Sequence, residues 1–101
     1  MRIIGGSLKG KIILPPPEFK ARPTTDVAKE ALFNILDNEF EFEGLNVLDL
    51  FSGTGSISYE FASRGVGHVW SIEMNQQYSS FIKDQAKKLG LKNLTAVHHN
   101  V

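Results

Sequence analysis

The residues able to do chemistry gather around one stretch, Asn46-Val47-Leu48-Asp49-Leu50-Phe51-Ser52-Gly53-Thr54-Gly55-Ser56. Its order of residue types predicts a short apolar strand, a glycine-rich turn and the opening of a helix. Gly53 and Gly55 allow backbone angles, and a close ligand approach, that a Cβ would block. Asp49 interrupts the apolar run, and a carboxylate there costs roughly several kcal/mol unless a partner satisfies it. In open α/β sheets, ligands settle at the carboxyl ends of the strands, where this turn would lie. Glu73 follows about 20 residues after the glycines, at the end of the next apolar run, where an acidic side chain can accept both hydroxyls of a ribose. Asn100 follows a third apolar run, and its amide can accept from an adenine amino group and donate to a ring nitrogen. Plainer readings stand beside these: Asp49 as a cap of turn amides, Glu73 as a surface charge, Asn100 as a turn residue.

Two ligand classes fit a glycine turn of this kind. A nicotinamide or flavin dinucleotide asks for Gly-x-Gly-x-x-Gly, and here Ser58 takes the third position. Its pyrophosphate gains nothing from the neighbouring Asp49, whereas a positively charged ligand does. S-adenosylmethionine carries an ammonium, a sulfonium and a ribose diol, and no phosphate. Asp49, directly or through water, suits its cationic end. Glu73 suits the ribose of either ligand and separates neither. Earlier, Gly5 to Lys11 spells Gly-x-x-x-x-Gly-Lys, but Ile12 stands where a Ser or Thr would hold Mg²⁺ and no helical pattern follows, so a nucleotide triphosphatase does not fit. The chain has no cysteine, and His68, His98 and His99 lack companions at metal-ligand spacing, so no metal centre is expected.

The elements that must position these groups alternate. Arg2-Ile3-Ile4 and Lys11-Ile12-Ile13-Leu14 read as a β-hairpin, and Pro15-Pro16-Pro17 stiffens the connection that follows. Thr24, Thr25 and Asp26 are all candidate caps of an amphipathic helix. Val27, Ala31 and Ile35, with Ala28, Leu32 and Leu36, form its apolar stripe, expected to pack on the core. Then come a strand over 46–51, a helix from about Gly55 to Arg64, a strand His68–Ile72 ending on Glu73, a helix capped by Asn75 and ended by Gly90, and a strand Leu94–His98. Strand, helix, strand, helix, strand with short connections predicts the leading half of a doubly wound, Rossmann-like parallel α/β sheet, preceded by the hairpin. Right-handed crossovers order the strands third, second, first.

At 101 residues the chain is one small domain or part of a larger one, and its 42% hydrophobic and 22% charged residues are ordinary for a globular protein. The formal net charge is zero, but Arg2, Lys9, Lys11, Lys20 and Arg22 make the leading segment basic, which points weakly to an anionic polymer. Lys9 and Lys11 read equally as solvated lysines on an edge hairpin. No apolar run is long enough for a membrane span and the first residues form no signal peptide, so a cytoplasmic protein with no membrane partner is expected.

Several motifs together resemble a known family. They are Arg2-Ile3-Ile4-Gly5-Gly6 with Lys9-Gly10, Arg22-Pro23-Thr24-Thr25-Asp26, Ala31-Leu32-Phe33-Asn34, and Val47-Leu48-Asp49-Leu50-Phe51-Ser52-Gly53-Thr54-Gly55 leading to Ser63-Arg64-Gly65. The sequence is similar to the N-terminal part of bacterial 16S ribosomal RNA guanine-N2 methyltransferases of the RsmD type. The resemblance implies a Rossmann-like fold, S-adenosylmethionine as donor, and 16S rRNA or a small-subunit assembly intermediate as partner. It places Asp49, Phe51, Gly53 and Gly55 in the donor turn, Glu73 at the ribose and Asn100 near the adenine. Arg22, Thr24 and Thr25 fall in the segment that closes over the donor and faces the RNA, with Arg2, Lys9 and Lys11 as further RNA contacts.

The family's catalytic signature is an Asp or Asn followed by Pro-Pro and an aromatic, after the fourth strand, and it holds a flipped base. No such run occurs here, so no catalytic residue is assigned. Residues 1–22 are expected to form a hairpin and linker, and 23–101 the first half of a methyltransferase domain that stops before the fourth strand. Such a chain is expected to be inactive alone and to self-associate through an exposed strand edge. A non-catalytic interaction module and a nicotinamide-dependent oxidoreductase fragment are the competing readings.

Overall fold

The computed structural model describes residues 1–20, 22 and 24–100; Ala21, Pro23 of the Arg22–Asp26 motif, and Val101 lie outside the described residues. Thr25 caps α1 (Asp26–Glu39), its hydroxyl accepting from the Ala28 amide at 3.1 Å. A single 3₁₀ turn at Phe42–Gly44 leads into β1 (Asn46–Asp49). Then follow α2 (Ser56–Ser63), β2 (His68–Glu73), α3 (Gln76–Lys88) and β3 (Leu94–His98). Asn75 caps α3 through the Tyr78 amide, as its residue type predicts.

The three strands form one parallel sheet in the order β1-β2-β3, with Asn46 opposite His68 and Val69 opposite Leu94. This is the predicted half of a doubly wound sheet. β1 is shorter than the apolar run suggested. It ends at Asp49 because Phe51 takes a left-handed backbone, φ 59°, which no strand can continue through. The leading hairpin is also looser than expected. It closes through one antiparallel bridge, Arg2 to Ile12, with Ile3 N donating to Lys11 O and Ile13 N to Met1 O, rather than through two regular strands.

The core is aromatic on the α1 side, where Phe33 packs edge-on against Phe61 and Phe42, with ring centroids 4.6 and 6.2 Å away. Tyr59, Val69, Ile82 and Leu94 continue it across the sheet. The predicted apolar stripe of α1 is not the buried one. Val27 is 80% exposed and Ile35 63% exposed, and Ala28, Ala31 and Leu32 also face outward, while Lys29 and Phe33 are buried and Leu36 is half-buried. The physical reason is partner identity: Lys29 meets a buried carboxylate and Phe33 an aromatic cluster, and those contacts select the face.

α2 is buried on almost every side although its sequence, Ser56-Ile57-Ser58-Tyr59-Glu60-Phe61-Ala62-Ser63, is largely polar. Buried polar groups must be hydrogen-bonded, and these are. Ser63 Oγ donates to Gly5 O at 2.7 Å and accepts from the Leu8 amide at 2.9 Å. Glu60 accepts from the amides of Ile4 and Gly5 at 2.9 Å each and from Arg64 Nε at 2.8 Å. Lys29 Nζ lies 3.5 Å from Glu60 and donates to Arg2 O at 2.6 Å and Ser56 Oγ at 3.1 Å. The hairpin is thus fastened to α2 by a buried charge cluster. Gly6 is required here, since a Cβ would lie 2.0 Å from Ser63 O.

Candidate functional site

The glycine turn is stitched to the end of β2. Ser52 N donates to Ile72 O at 3.0 Å, and Gly53 N donates to Glu73 Oε1 at 2.8 Å. The other carboxylate oxygen of Glu73 accepts from Asn75 N at 2.8 Å. Each oxygen keeps a second lone pair, so Glu73 can hold the turn and still accept from a ligand hydroxyl. Ser52 Oγ donates to Asp49 O at 2.8 Å and Gly55 N to Ser52 O at 3.0 Å, which completes the turn.

Asp49 faces inward on β1. Its Oδ2 accepts from Ser58 Oγ, and Ser58 Oγ also lies 2.9 Å from Ser71 Oγ. A hydroxyl has one proton, so with Asp49 ionised Ser58 donates to it and accepts from Ser71. Burial pushes the Asp49 carboxyl above the usual carboxylate range; hydrogen bonds from Ser58 and Ser52 pull it back in part, and the Glu73 charge adds to the rise. An arriving cation stabilises a carboxylate held in this way.

A hollow of about 120 Å³ opens beside Asp49, lined also by Arg22, Thr24, Phe51, Gly53 and Thr54. That is well below the ~300–1,000 Å³ of a pocket for a whole ligand, so only the compact end of a nucleoside-sized ligand fits there. Phe51 stands at the rim, 72% exposed and with its backbone left-handed. For a non-glycine residue that conformation costs on the order of 1–3 kcal/mol, and such strain clusters at ligand sites.

The structure therefore brings together Arg22, Thr24, Asp49, Phe51 and Gly53, with Glu73 one hydrogen bond away. Three other expected site residues are placed differently. Thr25 uses its hydroxyl to cap α1. Gly55 is buried; a Cβ there would lie 2.8 Å from the Tyr59 ring, so packing demands its glycine. Asn100 is exposed just past β3, next to His99, whose amide donates to Glu73 O at 3.1 Å. Of the basic residues, Lys9 and Lys11 are exposed, while Arg2 pairs with Asp26 at 3.8 Å. His68 Nε2 bonds Thr95 Oγ1 and His98 Nε2 bonds Met74 O. Sequence reasoning missed the Lys29–Glu60–Arg64 cluster that holds the basic hairpin beside this site. The Gly5-Gly6 pair was its one signal, a backbone stretch that something must approach closely.

A parallel half-sheet carrying a glycine turn at its carboxyl edge, with an acidic residue ending the second strand, defines a Rossmann-like nucleoside-binding fold. The chain belongs to the family described as Conserved hypothetical protein 95, which matches residues 1–101. YlbH of Bacillus subtilis is 35% identical over 100 residues, covering 99% of this chain and 53% of its own length. Ribosomal RNA small subunit methyltransferase D of Escherichia coli is 33% identical over 100 residues, covering 99% of this chain and 50% of its own. The solved structure of yhhF from Escherichia coli superposes with a TM-score of 0.84 at 32% identity, over 99% of this chain and 52% of that one. The chain thus spans about half the length of the curated relatives it matches.

Proposed function

We propose that this chain is the donor-binding half of an S-adenosylmethionine-dependent RNA methyltransferase that modifies the exocyclic N2 of a guanine in 16S rRNA, free or within a small-subunit assembly intermediate. The observation that carries the reading is the pairing of Asp49 beside a compact hollow with Glu73 clamped to the Gly53 amide. This offers an anionic seat for a sulfonium and ammonium at one end and an acceptor for a ribose diol at the other. The names of the relatives support the reaction class.

When bound, the donor supplies an electrophilic methyl group on sulfur. Asp49 orients the cationic end, Glu73 accepts the ribose hydroxyls, and Phe51 covers the rim. Gly53 and Gly55 shape the turn, and Asn100 reads the adenine. Arg22, Thr24 and Thr25 form the strap facing the RNA, and Arg2, Lys9 and Lys11 attract its phosphates. In this reading residues 1–22 are the RNA-facing hairpin and linker and 23–101 the donor half, working in the cytoplasm. Residues 1–101 contain no Pro-Pro-aromatic run, so they hold no flipped guanine and alone transfer no methyl group.

Calorimetry and tritiated-donor incorporation test the reading on the complete protein that carries this chain. It should bind S-adenosylmethionine and not NAD, and should label 16S rRNA lacking the modification. Glu73→Gln loses a charged acceptor and turns an amide NH₂ toward one of two backbone donors. Donor affinity should fall about 10- to 150-fold, corresponding to ~1.5–3 kcal/mol. Binding of NAD in place of the methyl donor, or no RNA labelling, overturns the assignment.

A further inference from the structure

The far edge of the sheet carries a second charged feature. A groove of about 540 Å³ runs between the C-terminal half of α3 and the amino-terminal end of β3, at the opposite end of the strands from the glycine turn. Leu91 and Leu94 lie in its floor, Thr95 borders it, and Lys83, Lys87 and Lys92 stand around it, all three exposed. No carboxylate is among its lining residues; Asp84 faces a different hollow, beside Phe19 and Gln76.

Helix stability does not ask for this arrangement. Lys88, outside the groove lining, already complements the α3 dipole from the last turn. Lys83 and Lys87 are four residues apart on one helix, a like-charge spacing that destabilises, and Lys92 from the following loop adds a third charge. A field of one sign concentrated over a concave surface attracts an anionic polymer. Aromatic residues are missing from the lining, so bases have nothing to stack on and the contact is to phosphates. A strand-adding peptide would need alternating side-chain pockets along β3, whereas a single hollow lies there.

We propose that Lys83, Lys87 and Lys92 form a second, sequence-independent site for the RNA backbone, on the face away from the donor turn. The inference rests on the RNA methyltransferase reading and extends it: the substrate wraps past the β3 edge as well as meeting the N-terminal hairpin.

The test uses the complete protein, a fluorescein-labelled single-stranded RNA of mixed sequence, and a salt series. Lys83→Gln, Lys87→Gln and Lys92→Gln combined should lower the slope of log affinity against log salt by about 2, at ~0.7 per lost phosphate contact. The loss should be equal across RNA sequences, with unchanged affinity for S-adenosylmethionine and a single cooperative melting transition retained. Lys9→Gln with Lys11→Gln is the companion variant. If it weakens RNA binding while the groove variant does not, the groove proposal falls and the functional reading stands. If neither changes RNA binding, the groove proposal falls, and the functional reading stands or falls on the labelling of 16S rRNA. If the groove variant instead loses binding of a polyglutamate peptide and keeps RNA, the groove serves an acidic protein partner and the proposal is overturned.

Discussion

Asp49 is ionised at neutral pH only against the resistance of its surroundings, because burial favours its protonated form. The sign of the linkage follows. The folded state keeps this proton to higher pH than the unfolded chain does, so the contribution of Asp49 to stability is greatest in acid. It declines as pH rises from the ordinary value of 3.8 through the raised one. Donor binding has the opposite slope, since a cationic ligand needs the ionised form. Affinity for S-adenosylmethionine should fall as pH drops through the raised Asp49 value. Asp49→Asn should remove that dependence, weaken binding at neutral pH and leave the fold at least as stable. Calorimetry from about pH 4 to 8 on both proteins checks this; parallel profiles would take Asp49 away from the cationic end.

At the scale of elements, the leading hairpin and the two flanking helices depend on one buried cluster. Glu60 is fully buried, forms an ion pair with Lys29 and accepts from Arg64 and the amides of Ile4 and Gly5. Burial lowers the pKa of Lys29, against the pull of Glu60, so the ammonium relies on that carboxylate to stay charged. Removing one partner of a buried pair leaves the other uncompensated and costs about 3–5 kcal/mol, a large part of the ~5–15 kcal/mol that holds a domain together. Glu60→Leu should lose that much in urea denaturation and should release the hairpin to proteolysis first. A loss below about 1 kcal/mol would mean the cluster is solvated and that the hairpin is held by Ile3 and Ile13 alone.

Across the whole molecule, apolar side chains remain uncovered on one flank. Leu48 is 63% exposed on β1, Leu50 and Phe51 beyond it are also exposed, and β1 has a strand neighbour on one side only among the described residues. An unpaired apolar strand edge invites pairing with another chain. The 101-residue chain should therefore form dimers or aggregates in solution, and Leu48→Lys should suppress them. Light scattering distinguishes the outcomes, and a monodisperse parent chain that melts cooperatively would count against the idea.

Local pattern alone was enough for much of this protein. The period of the apolar runs, the caps at Thr25 and Asn75 and the glycines at 53, 55 and 90 announce the alternating elements, because propensity and turn chemistry act over a few residues. Asp49 and Glu73 stood out as candidate site residues for the same reason: one is a charge inside an apolar run and the other a charge at the end of one. Which face of α1 turns inward was not legible. Its apolar positions look like the core stripe, yet Lys29 is buried because Glu60, far along the chain on α2, meets it there. Nor could the sequence show that polar α2 lies inside, since its Ser63 and Glu60 are satisfied by Gly5, Leu8 and Ile4, 55 to 58 residues earlier. A buried polar group is tolerated only where its partners converge, and only the tertiary structure brings those partners together.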